Sequence, residues 1–334
     1  MADIAVLGAG SWALGISIPL HDNGHKVTVW SAISDEIRLL EKQRENLKYL
    51  PGIQLPDQIN LTDDLVSAVS GCDCIVLAVA SQFTREVARR LKGLVPDGII
   101  VVNLAKGIES GSLLPLSETI KEELPQAKVC VLSGPSHAEE VARRMPTLVT
   151  VAGEDAETAR YLQQLFASPL FRVYTSTDVL GIEIGGALKN VIALAAGMAD
   201  GLGYGDNAKA ALITRGMSEI ARLAFKMGAK FETLYGLSGI GDLIVTCNSM
   251  HSRNRRAGIL IGQGKTMEEA IKEVNMVVEG IVSAKAARAL AKEYIVEMPI
   301  VDQVNRVLFE GLDPGEAVEN LMMRDLKDEC FPPE

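Results

Sequence analysis

The chain has little that would tie it to a metal, a membrane or a nucleic acid. Its five cysteines, Cys72, Cys74, Cys130, Cys247 and Cys330, form no C-x-x-C pair and have no histidine at ligand spacing, so reduced thiols are expected and no metal. No run approaches the roughly 20 apolar residues of a membrane-spanning helix. The start lacks a basic segment, a long apolar stretch and a small-residue cleavage site, so a cytoplasmic protein with no integral membrane segment is expected. Positive charge is in deficit: 33 Lys and Arg against 43 Asp and Glu give a formal charge of −10, which argues against nucleic acid and anionic membranes as main partners. An anionic ligand must then be met locally, and the densest cationic patch is Arg253, Arg255 and Arg256. Internal repeats and low-complexity stretches are also missing.

What is present is ample apolar material, 48% of 334 residues, with a mean hydropathy of +0.17 spread over short runs. That length exceeds the roughly 250 to 300 residues at which single cores divide, so two domains are expected. The run Ile4-Ala5-Val6-Leu7 reads as a buried parallel strand and leads straight into Gly8-Ala9-Gly10-Ser11-Trp12-Ala13. Ala13, Leu14, Ile16 and Leu20 then carry a helical apolar spacing. Gly8 permits the tight turn, and Gly10 lets the backbone approach a pyrophosphate. The helix starting near Ser11 aims its N–H groups and positive dipole end at that anion. A second strand, Lys26 to Trp30, follows Asn23-Gly24, which suits a helix C-terminus. A glycine turn without a ligand is the alternative. The acids Asp35 and Glu36 fall in the next helix rather than at the end of that strand, so NAD and NADP both stay open.

Further strands are expected at 59–61, 74–79, 99–104 and 128–132, with helices beginning near Asp63, Phe83, Leu113 and Ser136, then strands at 147–151 and 171–174. This alternation predicts an α/β fold: an N-terminal Rossmann-like doubly wound sheet. From about Asp178 strands largely vanish, and helices are expected at 178–200, 208–227, 257–261, 266–274, 280–292 and 299–309. The division is therefore a dinucleotide-binding domain over 1–177 and a mostly α-helical substrate-binding domain over 178–334, ending in a loose charged tail from Arg324.

Several segments, read together, resemble the bacterial-type NAD(P)-dependent glycerol-3-phosphate dehydrogenases over nearly the whole chain. They are the opening glycine motif, Lys106-Gly107, Ser133-Gly134-Pro135-Ser136-His137-Ala138, Leu188-Lys189-Asn190-Val191, Gly239-Ile240-Gly241-Asp242-Leu243, Ser252-Arg253-Asn254 and Val278-Glu279-Gly280. The resemblance implies reversible hydride transfer between dihydroxyacetone phosphate and sn-glycerol 3-phosphate, with NAD or NADP, supplying glycerophospholipid synthesis. Ketone reduction places negative charge on the carbonyl oxygen, which needs a positive or hydrogen-bonding group and then a proton. Lysine supplies both.

By resemblance, Lys189 is the acid/base, Lys106 stands at the substrate and cofactor edge of the site, and Asp242 contacts the substrate hydroxyl or orients the lysine. The alternatives are a solvated loop lysine for Lys106, a helix cap for Asp242, an orienting contact to Lys189 or a plain helix-face asparagine for Asn190, and a surface glutamate for Glu279. Gly134, Ser136, Asn190, Ser252, Arg253 and Asn254 are implied to hold substrate, the last three supplying hydroxyl, guanidinium and amide for a phosphate. Ser11, Trp12, Ala138, Arg253, Val277 and Glu279 join Gly8, Gly10 and Lys106 as implied cofactor contacts. His137 is expected to be structural, and Arg255 and Arg256 to lie beyond the phosphate motif. Ala32 departs from the His or Arg that relatives often carry against the adenosine ribose. A hydroxy-acid reductase of the same build has no need of Ser252-Arg253-Asn254, and a non-catalytic dinucleotide sensor has none for Lys106, Lys189 and Asp242 together. A homodimer through the helical domain is a further expectation.

Overall fold

The computed structural model describes residues 1–326 together with Asp328 and Glu329. The chain divides into two compact units: Met1–Glu109 with Leu114–Glu183, and Ser110–Leu113 with the chain from Ile184 onward.

In the first unit, β1 (Asp3–Leu7), β2 (Lys26–Trp30), β3 (Asn60–Thr62), β4 (Cys74–Leu77), β5 (Ile100–Asn103), β6 (Lys128–Ser133), β7 (Thr147–Gly153) and β8 (Phe171–Ser176) form one sheet, ordered β3-β2-β1-β4-β5-β6-β7-β8. The helices here are α1 (Ser11–Asp22), α2 (Ser34–Gln43), α3 (Leu65–Val69), α4 (Thr84–Arg90), α5 (Leu116–Glu123), α6 (Ala138–Ala142) and α7 (Ala156–Phe166). Strand residues alternate between two cores: Ile4 and Val6 join one cluster with Val27, Val29 and Val76, while Ala5 and Leu7 join the other with Ile75, Leu77 and Val101. Both faces are thus covered, as the continuous apolar runs require. Chain order reverses at β1, which pairs with β2 on one side and β4 on the other, so the turn after β1 opens at the switch point where such sheets bind ligands.

The doubly wound sheet expected from the sequence is present, with one departure: β7 runs antiparallel to β6. The cause is the short connection. α6 has 5 residues and β6 has 6, and a helix rises only about 1.5 Å per residue against about 3.3 Å for a strand, so α6 does not carry the chain back to the start of β6.

Beyond β8 the described residues hold no strand. They form α8 (Val179–Gly201), α9 (Asp206–Lys226), α10 (Phe231–Leu234), α11 (Asp242–Asn248), α12 (Arg253–Gly262), α13 (Met267–Val274), α14 (Glu279–Glu293), α15 (Pro299–Glu310) and α16 (Pro314–Met322). The sequence reading foresaw α11 only as a helix that Asp242 would cap, and did not foresee α10 or α16, although Asp313 caps α16 through Gly315 and Glu316 and Pro314 opens it. By length and composition alone α8 is long and apolar enough to cross a membrane, although Glu183 and Lys189 interrupt its apolar run. Its apolar window is 94% buried, as in a core helix.

Within the second unit α8 and α12 touch backbone to backbone. Gly197 and Gly201 meet Gly258 and Gly262, and a Cβ built on Gly258 would stand 2.9 Å from the Cα of Gly197. α15 has no side-chain cap of its own; Glu219 of α9 accepts from the N–H groups of Ile300 at 2.8 Å and Val301 at 3.3 Å. Most of the tail expected from Arg324 lies outside the described residues, as does Cys330; Arg324 itself pairs with Glu297 at 3.1 Å.

Candidate active site

The glycine turn of the first unit is shaped for a phosphate. Gly8 has φ +125°, and a Cβ there would stand 2.7 Å from the carbonyl oxygen of Ala78, so neither the conformation nor the space admits a side chain. Its N–H donates to Trp30 O at 2.8 Å, tying the turn to β2. Gly10 is the N-cap of α1 and offers no side-chain cap, and nothing lies within 4 Å of where its Cβ would be. The first N–H groups of α1 therefore have no side-chain cap, and the positive dipole end lies behind them. The indole Nε1 of Trp12 is buried with no partner among the described residues. A cradle that a Cβ would fill and an uncapped helix start fit a dinucleotide pyrophosphate. Ala138 comes close to this helix, since a Cβ on Gly15 would stand 3.0 Å from the carbonyl oxygen of Ala138.

At the end of β2 Ala32 is exposed, and Ser31 Oγ donates to Glu36 Oε2 at 2.8 Å. The sequence places Glu36 in the following helix, where it is, but its side chain reaches back to the strand end. The Ser-x4-Glu spacing was the available signal.

Two strand ends lead to the remaining first-unit residues. Lys106, half-buried after β5, donates from Nζ to Gly134 O at 3.0 Å, and Ser136 Oγ donates to the same oxygen at 2.9 Å. The structure therefore brings Lys106, Gly134 and Ser136 together. His137 occupies the N-cap of α6.

In the second unit the central feature is a buried ion pair. Lys189 on α8 is 6% exposed and Asp242 on α11 is 1% exposed; Lys189 Nζ donates to Asp242 Oδ1 and to Thr246 Oγ1, the latter at 2.7 Å. A buried ammonium needs such a counter-charge, because leaving it alone would cost several kcal/mol, on the order of 3–5. Asp242 is the first residue of α11, whose N-cap is Gly241 rather than Asp242. Thr246, which donates to Asp242 O at 2.6 Å, was missed by sequence reasoning. Its place one helical turn after Asp242 was the signal. Close packing holds the helix: a Cβ on Gly185 would stand 3.0 Å from Ser238 O.

Asn190 is buried and its Oδ1 accepts from Asn254 Nδ2 at 2.9 Å, while Asn254 Oδ1 accepts from the Gly280 N–H at 2.9 Å. These bonds connect α8, α12 and the first turn of α14, where Glu279 stands; Val277 just before it is exposed. The sequence reading started α12 too late. The helix begins at Arg253, and Ser252 is its N-cap, accepting from the Arg255 N–H at 3.2 Å. Local hydrogen bonding of a serine hydroxyl outweighed the absence of early apolar residues. Arg255 belongs to the scaffold, with its Nη2 at 2.7 Å from Asp200.

Cys247 is buried and its thiol is pushed up to about 12 by that burial, which leaves no thiolate for chemistry at neutral pH. Among the described residues no group of three or more His, Cys, Asp or Glu could hold a metal.

Known proteins match nearly the whole chain. Residues 3–159 match the family profile for the N-terminus of NAD-dependent glycerol-3-phosphate dehydrogenase, and residues 178–319 match that for its C-terminus. The chain is 57% identical over 329 residues to a protein of Agathobacter rectalis named glycerol-3-phosphate dehydrogenase NAD(P)+, covering 98% of each. A protein of the same name from Fusobacterium nucleatum is 56% identical, again with 98% of each covered. The crystal structure of glycerol-3-phosphate dehydrogenase from Coxiella burnetii superposes with a TM-score of 0.93 at 39% identity, covering 97% of this chain and 99% of that one.

Proposed function

The chain belongs to the NAD-dependent glycerol-3-phosphate dehydrogenase family, and from that premise we propose that it catalyses the reversible reduction of dihydroxyacetone phosphate to sn-glycerol 3-phosphate, using NAD or NADP. The observation that carries this reading is the buried Lys189–Asp242 pair completed by Thr246, an acid/base group held in one orientation inside a helical core.

The nicotinamide cofactor, when bound, supplies or takes up the hydride. Lys189 donates a proton to the oxygen of the reduced carbonyl and takes one back from the alcohol in reverse. Asp242 and Thr246 hold its ammonium in place. Lys106, steadied by Gly134 O, adds positive charge against substrate oxygen. Ser252, Arg253 and Asn254, at the start of α12, receive the phosphate with a guanidinium fork and first-turn N–H groups, with Gly134, Ser136 and Asn190 completing the substrate contacts. Asn190 presents its amide N–H to the substrate hydroxyl, because its oxygen is taken by Asn254. Gly8, Gly10, Ser11 and Trp12 hold the pyrophosphate side of the cofactor, with Lys106, Ala138, Arg253, Val277 and Glu279 as further contacts.

In this reading residues 1–177 serve the dinucleotide and 178–334 the substrate, the product feeds glycerophospholipid synthesis, the protein works in the cytoplasm, and a homodimer forms through the helical part. The deciding experiment is initial-rate oxidation of NADH and of NADPH with dihydroxyacetone phosphate and with unphosphorylated dihydroxyacetone. Turnover confined to the phosphate ester is expected. Equal turnover of both ketones would remove the phosphate clamp from Arg253.

A further inference from the structure

Lys106 stands on a loop, and a loop lysine is useful only if its backbone is fixed. The segment between β5 and α5 is tied down at both ends by one carboxylate that the reaction does not itself call for. Asn103, the last residue of β5 and fully buried, accepts from the Ala105 N–H at 3.1 Å and donates from Nδ2 to Ala105 O at 3.2 Å, so a single side chain sets both peptide groups flanking Ala105, immediately before Lys106. Asn103 Nδ2 also lies 3.4 Å from Oε1 of Glu183. At the other end, α5 has Pro115 as N-cap and no side-chain cap of its own. Glu183 supplies what is missing: its Oε1 accepts from the Ser117 N–H at 2.9 Å and its Oε2 accepts from Ser117 Oγ. Ser117, Asn103 and Glu183 are all buried.

We infer that Glu183 is a positioning residue for Lys106: it fixes the exit of β5 through Asn103 and the entry of α5 through Ser117, and so sets where the Lys106 ammonium sits. This inference rests on the place given to Lys106 in the proposed reaction. The position asks for a hydrogen-bonding group of glutamate's length rather than for a charge. Burial pushes the Glu183 carboxyl up to about 7, against the pull of its bonds from Ser117 and Asn103, so near neutrality both protonation states are populated. The protonated form keeps the pattern by donating to Ser117 Oγ, which then acts as acceptor. Glutamine can do the same, with Oε1 accepting from Ser117 N–H and Asn103 and Nε2 donating to Ser117 Oγ.

The test is a double-mutant cycle on the full chain, read by steady-state kinetics with dihydroxyacetone phosphate, by NADH binding from fluorescence, and by thermal melting. Glu183→Ala is expected to lower kcat/KM for the ketone by roughly ten- to a hundredfold, mostly through KM, since displacing a substrate-facing group by about 1 Å costs that much. NADH affinity should fall no further than it does in Lys106→Ala, and Glu183→Gln should recover most of the loss. Lys106→Ala combined with Glu183→Ala should be no worse than Lys106→Ala alone, because the carboxylate acts through the lysine. Multiplying losses in the double variant, or normal kinetics in Glu183→Ala, would overturn the inference. If Glu183→Ala does not fold, Asn103→Ala takes its place in the same cycle with the same expectations. Normal kinetics in Lys106→Ala itself would instead overturn the role given to that lysine, a separate outcome from failure of the positioning link.

Discussion

Around Gly8 and Gly10 the first unit offers main-chain N–H groups held by conformation, whereas around Lys189 the second unit offers side chains held by burial. The two arrangements fail differently. A main-chain site is lost when a Cβ or a changed φ deforms the turn, and it takes any anion of the right size. A buried ion pair is lost when either charge is removed, because the survivor stays in an apolar setting without its partner. In the proposed reading, cofactor capture therefore rests on shape and proton transfer on charge.

Three experiments break or sharpen that contrast. The largest effect belongs to Lys189→Ala, which should lower kcat by roughly two to four orders of magnitude, the usual worth of a positioned acid/base, while NADH affinity stays close to normal. Retained kcat would end the acid/base assignment. Next comes Gly8→Ala, which forces a side chain into φ +125° against the Ala78 carbonyl and should cost about 1–3 kcal/mol of stability and weaken NADH binding, with kcat at saturating cofactor little changed. If its NADH affinity equals the wild type's, the turn does not hold the cofactor.

The smallest effect concerns two buried glutamates with no place in the chemistry, Glu183 and Glu219, both pushed up to about 7 mainly by burial. A carboxyl raised above its unfolded value near 4.5 binds its proton more tightly in the native state. Its contribution is complete below that value and disappears as pH rises through about 7. Thermal midpoints should therefore fall between pH 6 and pH 8, by a few degrees for an effect on the order of 1–2 kcal/mol. Glu219→Gln keeps an acceptor for the Ile300 N–H and removes one titration, so its melting profile should be flatter. An unchanged slope would mean that Glu219 stays ionised across this range.

The same contrast explains what could be read from the residue order. The glycine turn was legible because only glycine tolerates such a backbone, and the strand leading into it is a continuous apolar run. Lys189 and Asp242 were legible as individuals through their family motifs, but their contact spans distant parts of the chain, and no local pattern announces it. Thr246 was missed because its one signal, a place one turn after Asp242, gains meaning only once Lys189 is brought to both. Register errors had local causes: α12 starts at a serine cap before its apolar residues begin, and β7 reverses because α6 is too short to return the chain. The roles of Glu183 and Glu219 as caps for helices far off in sequence were illegible, since each cap needs the packed structure to bring the carboxylate to the helix start.

The direct contact of α8 with α12 has a practical consequence for anyone seeking a hardier version of this protein. Replacing helical glycines by alanine is a standard route to thermostability, gaining about 0.4–1 kcal/mol per site by restricting the unfolded chain. Gly197, Gly201, Gly258 and Gly262 would all be candidates on helical propensity alone, and all four are closed to it, because the added methyl would strike the neighbouring backbone. Main-chain atoms cannot change rotamer to make room, so the collision would pry apart the helices that carry Lys189 and Arg253. A stabilising library should hold these four positions fixed and search for gains elsewhere.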